Sequence, residues 1–160
     1  MLKLDDPTLL RQQALIGDTW CNADDSATLD VTDPATGERL GTVPSMGGAE
    51  TRRAVAAAQA AFTQWSKTTA KQRGQILRKW HDLILAHQED LARIMTAEQG
   101  KPLSESRGEI TFAASFIDWF AEQARRVDGD VLASPATDRR LIVLKQPVGV
   151  CAAITPWNFP

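Results

Sequence analysis

An α/β fold is predicted by three features of the sequence. Short extended runs separated by turn residues occupy the chain up to Pro44, long amphipathic helical stripes run from Glu50 to about Arg126, and an apolar run, Val148 to Thr155, lies near the end. The last of these carries the class. It has no polar alternation before Thr155, which is the pattern of a strand buried on both faces, as in a parallel sheet covered by helices. Such a strand needs neighbours reached through crossover connections, so the chain reads as the first part of a longer α/β protein.

The elements follow in order. "QALIGDTW" and "ATLDVTDPATGERLGTVP" are strand-like pieces, and Asp33-Pro34-Ala35-Thr36-Gly37 places Pro and Gly at turn positions between two of them, which predicts a small β-meander. From Glu50 the period changes: Ala54, Val55, Ala58, Ala61, Phe62 and Trp65 fall on one helical face. Thr69 and Gln72 have the spacing of a capping box, and Ile76, Leu77, Trp80, Leu83 and Ile84 repeat the stripe. It resumes at Leu91, Ile94 and Met95 and stops at Gly100, just before Pro102. A further helix from about Pro102 to about Arg126 aligns Leu103, Ile110, Ala114, Ile117, Ala121 and Ala124, giving three to four helices in all. "RRLIVLK" and "VGVCAAIT", divided by Gln146-Pro147, read as two strands.

Composition narrows the function. The chain of 160 residues is 43% hydrophobic and 24% charged, enough for a sizeable core. A formal net charge of -2 and scattered basic doublets give no basic stripe for nucleic acid. The N-terminal "MLKLDDPTLLRQQALIGD" lacks a basic start followed by an apolar core, and no apolar run is long enough to span a bilayer, so a cytoplasmic protein without a membrane partner is expected. Cys21 and Cys151 belong to no Cys-x-x-Cys or Cys/His cluster, and His81 and His87 sit about 240° apart around a helix, so no metal site is expected.

A few single residues could carry chemistry. Asn158, in "TPWNFP" at the carboxyl end of the last strand, can aim its NH2 at a developing oxyanion; the competing reading is that it closes a turn by bonding its own backbone. Cys151, mid-strand among Val148, Val150, Ala152, Ala153 and Ile154, is expected to be a buried core thiol rather than a nucleophile. Glu105, Glu109 and Glu122 are expected on solvated faces, whereas Glu98, beside the Gly100 stop, is expected to make structural hydrogen bonds. No Gly-x-Gly-x-x-Gly or Walker loop is present.

Together, "DPATGERLG", "AEQGKP" and "PVGVCAAITPWNFP" resemble the aldehyde dehydrogenase superfamily from about Leu9 onward. Within it, "RQQALI", "HQEDLARIMTAEQGKPLSESRGEI", "AASFIDWFAEQARRVDGD" and "RLIVLKQPVGV" are most similar to the bacterial NADP-dependent succinate-semialdehyde branch, and the glutarate-semialdehyde enzymes look similar over this stretch. The resemblance implies a doubly wound cofactor domain, a catalytic domain and an oligomerisation arm. Residues 1–138 would be the N-terminal part of the cofactor domain, 139–147 an arm strand that pairs in a homo-oligomer, and 148–160 a strand of the cofactor sheet with its PWNFP turn, the catalytic domain being absent. Asn158 would be the oxyanion-hole amide, Ile154, Thr155, Pro156 and Trp157 would lie along the nicotinamide of NADP or NAD, and Gly108 to Phe112 would border the entrance for a small aldehyde.

The implied chemistry is attack of a cysteine thiolate on the aldehyde, hydride transfer to the cofactor, and thioester hydrolysis with a glutamate as base. Both of those groups would lie beyond Pro160. A reading from another class is a non-catalytic assembly piece that pairs through the edge of "RLIVLK".

Overall fold

The computed structural model describes residues 2–160; Met1, at the start of the segment read as the cofactor domain, lies outside the described residues. Strands β1 (Ala14–Ile16) and β2 (Thr19–Cys21) form one antiparallel hairpin, with Leu15 opposite Trp20. Strands β3 (Thr28–Thr32) and β4 (Arg39–Pro44) form a second, with Asp30 opposite Thr42. The Asp33–Gly37 turn is built as its residue types predict. Asp33 Oδ1 accepts from the N–H of Ala35 at 2.7 Å, and the Gly37 N–H reaches the Asp33 carbonyl at 2.8 Å.

The two hairpins remain separate two-stranded sheets, which corrects the expected single meander. The cause lies in the β2–β3 connection, which is pulled onto the first helix, α1 (Gly48–Trp65). Buried Glu50 accepts the Asp24 N–H at 3.1 Å and the Gly47 N–H at 3.0 Å, and Arg53 grips the Asp24 carboxylate through two nitrogens at 2.8 and 2.6 Å. A helix N-terminus is the favourable place for that carboxylate, because four N–H groups there have no partner within the helix.

Three more helices follow: α2 (Ala70–Ala86), α3 (Gln88–Gln99) and α4 (Leu103–Gln123). Thr69 and Gln72 make the predicted capping box, with Gln72 N–H to Thr69 Oγ1 at 3.2 Å and Thr69 N–H to Gln72 Oε1 at 2.9 Å. His87 ends α2 and starts α3, and its backbone (φ -105°, ψ 17°) breaks the continuity of the long stripe.

Packing is closest between α2 and α4. A Cβ on Gly74 would stand 2.9 Å from the Ala121 carbonyl oxygen, so the helices touch backbone to backbone there. Arg78 of α2 spans the same seam to Asp118 and to Glu122 Oε1 at 2.9 Å. The predicted α4 stripe is the buried one, with Ile110, Ala114 and Ala121 nearly inaccessible. The α2 stripe is only half covered, since Gly74, Leu77 and Ile84 face inward while Ile76, Trp80 and Leu83 stay about half exposed. The α1 stripe likewise leaves Val55 and Trp65 exposed.

The last part departs most from expectation. Strands β5 (Asp130–Leu132) and β6 (Leu141–Val143) pair antiparallel, so the partner of the "RLIVLK" strand begins at Asp130. Residues 144–155 form no strand, and Cys151 is exposed rather than core. The physical reason is that a strand exists only through ladder bonds to a neighbour, and no described residue lies alongside to make them.

One carboxylate governs how the N-terminal segment is held. Asp90, buried at the start of α3, accepts the N–H groups of Asp5 at 2.9 Å and Asp6 at 2.7 Å, and these bonds hold its carboxyl below the usual carboxylate range. A lowered folded-state pKa means stability that is present above the unfolded value and is lost as pH falls through the folded one. Asp90→Asn is therefore expected to lower the denaturation midpoint at pH 7 and to flatten its fall below about pH 4. Urea titrations of the full-length protein at several pH values would check it, and curves that stay parallel down to the acid limb would rule out the Asp90 contribution.

Candidate functional site

The Asn158 turn is closed by the main chain, with the Phe159 N–H reaching the Pro156 carbonyl at 3.2 Å. Among the described residues the Asn158 carboxamide bonds to nothing, so it is not spent on closing its own turn. Of the two readings drawn from sequence, the one in which Asn158 serves as a turn closer is not what this geometry builds. Ile154, Thr155, Pro156 and Trp157 lead into the turn as an exposed run without strand or helix, Ile154 at 98% and Trp157 at 88% exposure.

A second loop reaches this turn from the other side. Gly100 ends α3 in the left-handed region (φ 78°), its N–H bonds to the Thr96 carbonyl at 2.8 Å, and a Cβ there would meet Pro34 Cγ at 2.9 Å. Glycine is thus required twice over, by its φ and by the β3–β4 turn packed against it. The flanking side chains then converge. Gln99 Nε2 donates to the Trp157 carbonyl at 2.8 Å, and Lys101 Nζ donates to the Asn158 carbonyl at 3.1 Å. Lys101 also pairs with the Glu109 carboxylate from α4 and lies 5.3 Å from the Phe159 ring centroid.

These groups border an open cleft lined by Lys101, Glu105, Gly108, Glu109, Phe112, Asn158 and Phe159. The Gly108–Phe112 turn of α4, tied by resemblance to the substrate entrance, therefore faces Asn158. The Phe112 ring is itself braced edge-on by Phe116, centroids 4.9 Å apart. No thiol lines the cleft among the described residues; Cys151 stands outside it, and Cys21 is half-buried on β2 with its Sγ 3.5 Å from the Ala14 carbonyl. The cleft can therefore offer an amide donor and an ion pair, but among the described residues no thiol.

Two carboxylates differ from expectation. Glu109 is not on a solvated face: its side chain is only 9% exposed, with Lys101 at 16%. Glu98 makes no hydrogen bond among the described residues, and the structural bonds expected of it are made by Gln99 and Lys101 instead. Desolvation holds the Glu98 carboxyl above its usual range. Sequence reasoning gave Gln99 and Lys101 no individual role and put Glu109 on a solvated face. The available signal was the placement of "QGK" around a helix stop, which throws two long polar side chains off the end of α3. Among the described residues no group of three His, Cys, Asp or Glu could hold a metal ion, and no helix is long and apolar enough to cross a membrane.

Comparison with known proteins gives the family. The model of the aldehyde dehydrogenase family matches residues 20–160. The NADP+-dependent succinate-semialdehyde dehydrogenase of Escherichia coli K12 is 57% identical over 159 residues, covering 99% of this chain and 33% of that protein. A glutarate-semialdehyde dehydrogenase of Pseudomonas putida is 58% identical over the same shares. The crystal structure of succinate-semialdehyde dehydrogenase from Burkholderia pseudomallei superposes with a TM-score of 0.94 at 61% identity, covering 98% of this chain and 33% of that one. The chain spans about a third of the length of the relatives it matches.

Proposed function

The chain belongs to the aldehyde dehydrogenase family, and from that premise we propose that it supplies the N-terminal part of a cytoplasmic, homo-oligomeric enzyme that oxidises succinate semialdehyde to succinate with NADP. The observation that carries the reading is the Asn158 carboxamide: unengaged, in a cleft, on a turn whose own closure is left to the backbone.

The role follows from the chemistry of an amide donor. When a nucleophile adds to an aldehyde, the carbonyl oxygen becomes an anion, and a hydrogen bond to an anion is about twice as strong as one to a neutral acceptor. An Nδ2–H already aimed at that oxygen favours the transition state over the ground state, which is what accelerates the step. Asn158 holds the oxygen while charge resides on it and releases it as the carbonyl re-forms.

Ile154, Thr155, Pro156 and Trp157 fit the cofactor side of this reading. They are exposed, and among the described residues the one hydrogen bond they make outside their own turn is from Gln99 to the Trp157 carbonyl, so a flat ring can lie along them without displacing a structural contact. NADP, when bound, supplies the hydride acceptor. The preference for NADP rests on the E. coli relative, whose name specifies it.

Substrate choice is tested by kcat/KM of the full-length enzyme for succinate semialdehyde, glutarate semialdehyde and an uncharged aldehyde of similar length. Succinate semialdehyde is expected to lead glutarate semialdehyde by about 10-fold or more, the usual effect of one methylene in a fitted pocket. The uncharged aldehyde is expected last, because a site built for an anionic group leaves that site's own charges unpaired when the anion is missing. Glutarate semialdehyde in first place would move the enzyme to that branch, and an uncharged aldehyde in first place would remove the semialdehyde reading altogether.

A further inference from the structure

Reading Asn158 as the oxyanion donor leaves open what aims it. A side-chain amide has its own χ1 and χ2, but the direction of its Cα–Cβ bond is set by the φ and ψ of Asn158. Those two dihedrals relate two peptide planes, the one containing the Trp157 carbonyl and the one containing the Asn158 carbonyl. Each of these carbonyls accepts a hydrogen bond from a side chain of the Gly100 loop, Gln99 Nε2 at 2.8 Å to the first and Lys101 Nζ at 3.1 Å to the second. Both planes flanking the Asn158 Cα are thus pinned from outside the turn.

The pin is itself fixed. Lys101 carries three N–H donors on a flexible stem and would ordinarily wander. Here the ammonium is tied to Glu109 of α4, its side chain is only 16% exposed, and the Phe159 ring lies 5.3 Å away. Glu109 is one residue from Ile110, which is buried against the helix core, so the anchor has a rigid base. Gly100 gives the loop its turn at φ 78°, which places Gln99 and Lys101 on either side of the stop.

We infer that Lys101, anchored by Glu109 and assisted by Gln99, is a positioning residue that fixes the direction of the Asn158 carboxamide. The inference rests on the oxyanion role proposed for Asn158. A misplacement of about 1 Å can cost on the order of a hundredfold in rate, and Lys101→Met, which keeps the stem but removes the donor and the charge, is expected to lower kcat by about 10- to 100-fold with little change in KM.

The test is a double-mutant cycle in the full-length enzyme with succinate semialdehyde, reading kcat and KM for the wild type, Lys101→Met, Asn158→Ala and the pair. If Lys101 acts through Asn158, adding Lys101→Met to Asn158→Ala lowers kcat by less than about threefold further, since residues working as a unit are not additive. Full additivity overturns the inference while leaving the role of Asn158 intact. An unaltered kcat in Lys101→Met does the same. A rise in KM with kcat kept makes Lys101 a contact for the substrate anion and also overturns it. If Asn158→Ala alone leaves kcat unchanged, the oxyanion reading fails first and the inference falls with it, which the single variant reveals separately. Should Lys101→Met not fold because Glu109 is left unpaired, Gln99→Ala, which strands no charge, is put through the same cycle with a severalfold loss of kcat expected and the same non-additivity required.

Discussion

Replacing Asn158 with alanine in the full-length enzyme is expected to lower kcat by about 10²- to 10³-fold, equivalent to about 2.7 to 4 kcal/mol, the usual cost of removing one oxyanion donor. KM should move little, because the bond strengthens only as charge develops. Thermal stability should also move little. The turn is closed by Phe159 N–H to the Pro156 carbonyl, and the clasp from Gln99 and Lys101 ends on backbone oxygens that alanine retains. The measurement is steady-state kcat at saturating NADP beside a thermal melt of the same preparation. An unchanged kcat would remove the oxyanion role. A loss of rate matched by a large fall in melting temperature would assign the effect to folding of the turn.

How much of this was legible in the sequence depends on the range of the interaction that decides each feature. The capping box at Thr69 and Gln72, the Asp33–Gly37 turn and the Gly100 stop are set by groups within five residues of one another, and each is built as read. The α4 stripe was legible too, because one face of that helix meets two others. The α2 stripe was read too broadly: periodicity shows which side chains share a face, but Gly74 against Ala121 decides how much of that face a neighbour can cover. Residues 148–155 were read as strand because composition reports β-propensity, whereas a ladder is made between segments distant in the chain.

The site divides the same way. Asn158 stands out as a candidate from its own chemistry and from the resemblance of "PWNFP" and "AEQGKP" to one family, to which the chain belongs. Glu109 was misplaced because it sits at a boundary position of α4, where a helical pattern gives solvent; its partner Lys101 comes from the preceding loop, and no periodicity predicts that approach. The motif "AEQGKP" carried the family resemblance without disclosing its mechanical link to "PWNFP". That link appears only when the two loops are seen side by side.

The isolated chain of residues 1–160 is expected to aggregate rather than form one defined species. A folded protein of 17.5 kDa should expose about 7,900 Å², whereas this chain exposes 11855 Å². Among the described residues, four of the five buried hydrophobic ones, Ala23, Ala92, Ala114 and Ala121, are alanines, with Ile110 the fifth. Meanwhile Val131 and Leu144 are each 76% exposed, Val148 is 92% exposed and Ile154 is 98% exposed, all around or beyond the β5–β6 hairpin. That hairpin is two short strands with unpaired outer edges, the arrangement most open to pairing with other chains. The uncovered area is on the scale that obligate interfaces bury, so a small, alanine-rich core has to hold the fold without the surface that normally covers it. Size-exclusion chromatography with light scattering should therefore give heterogeneous large species, and thermal melts should lack a cooperative transition. A single folded species of fixed stoichiometry would contradict this and would favour a stand-alone assembly piece pairing through β6, with the Asn158 turn serving as part of an interface rather than of an active site.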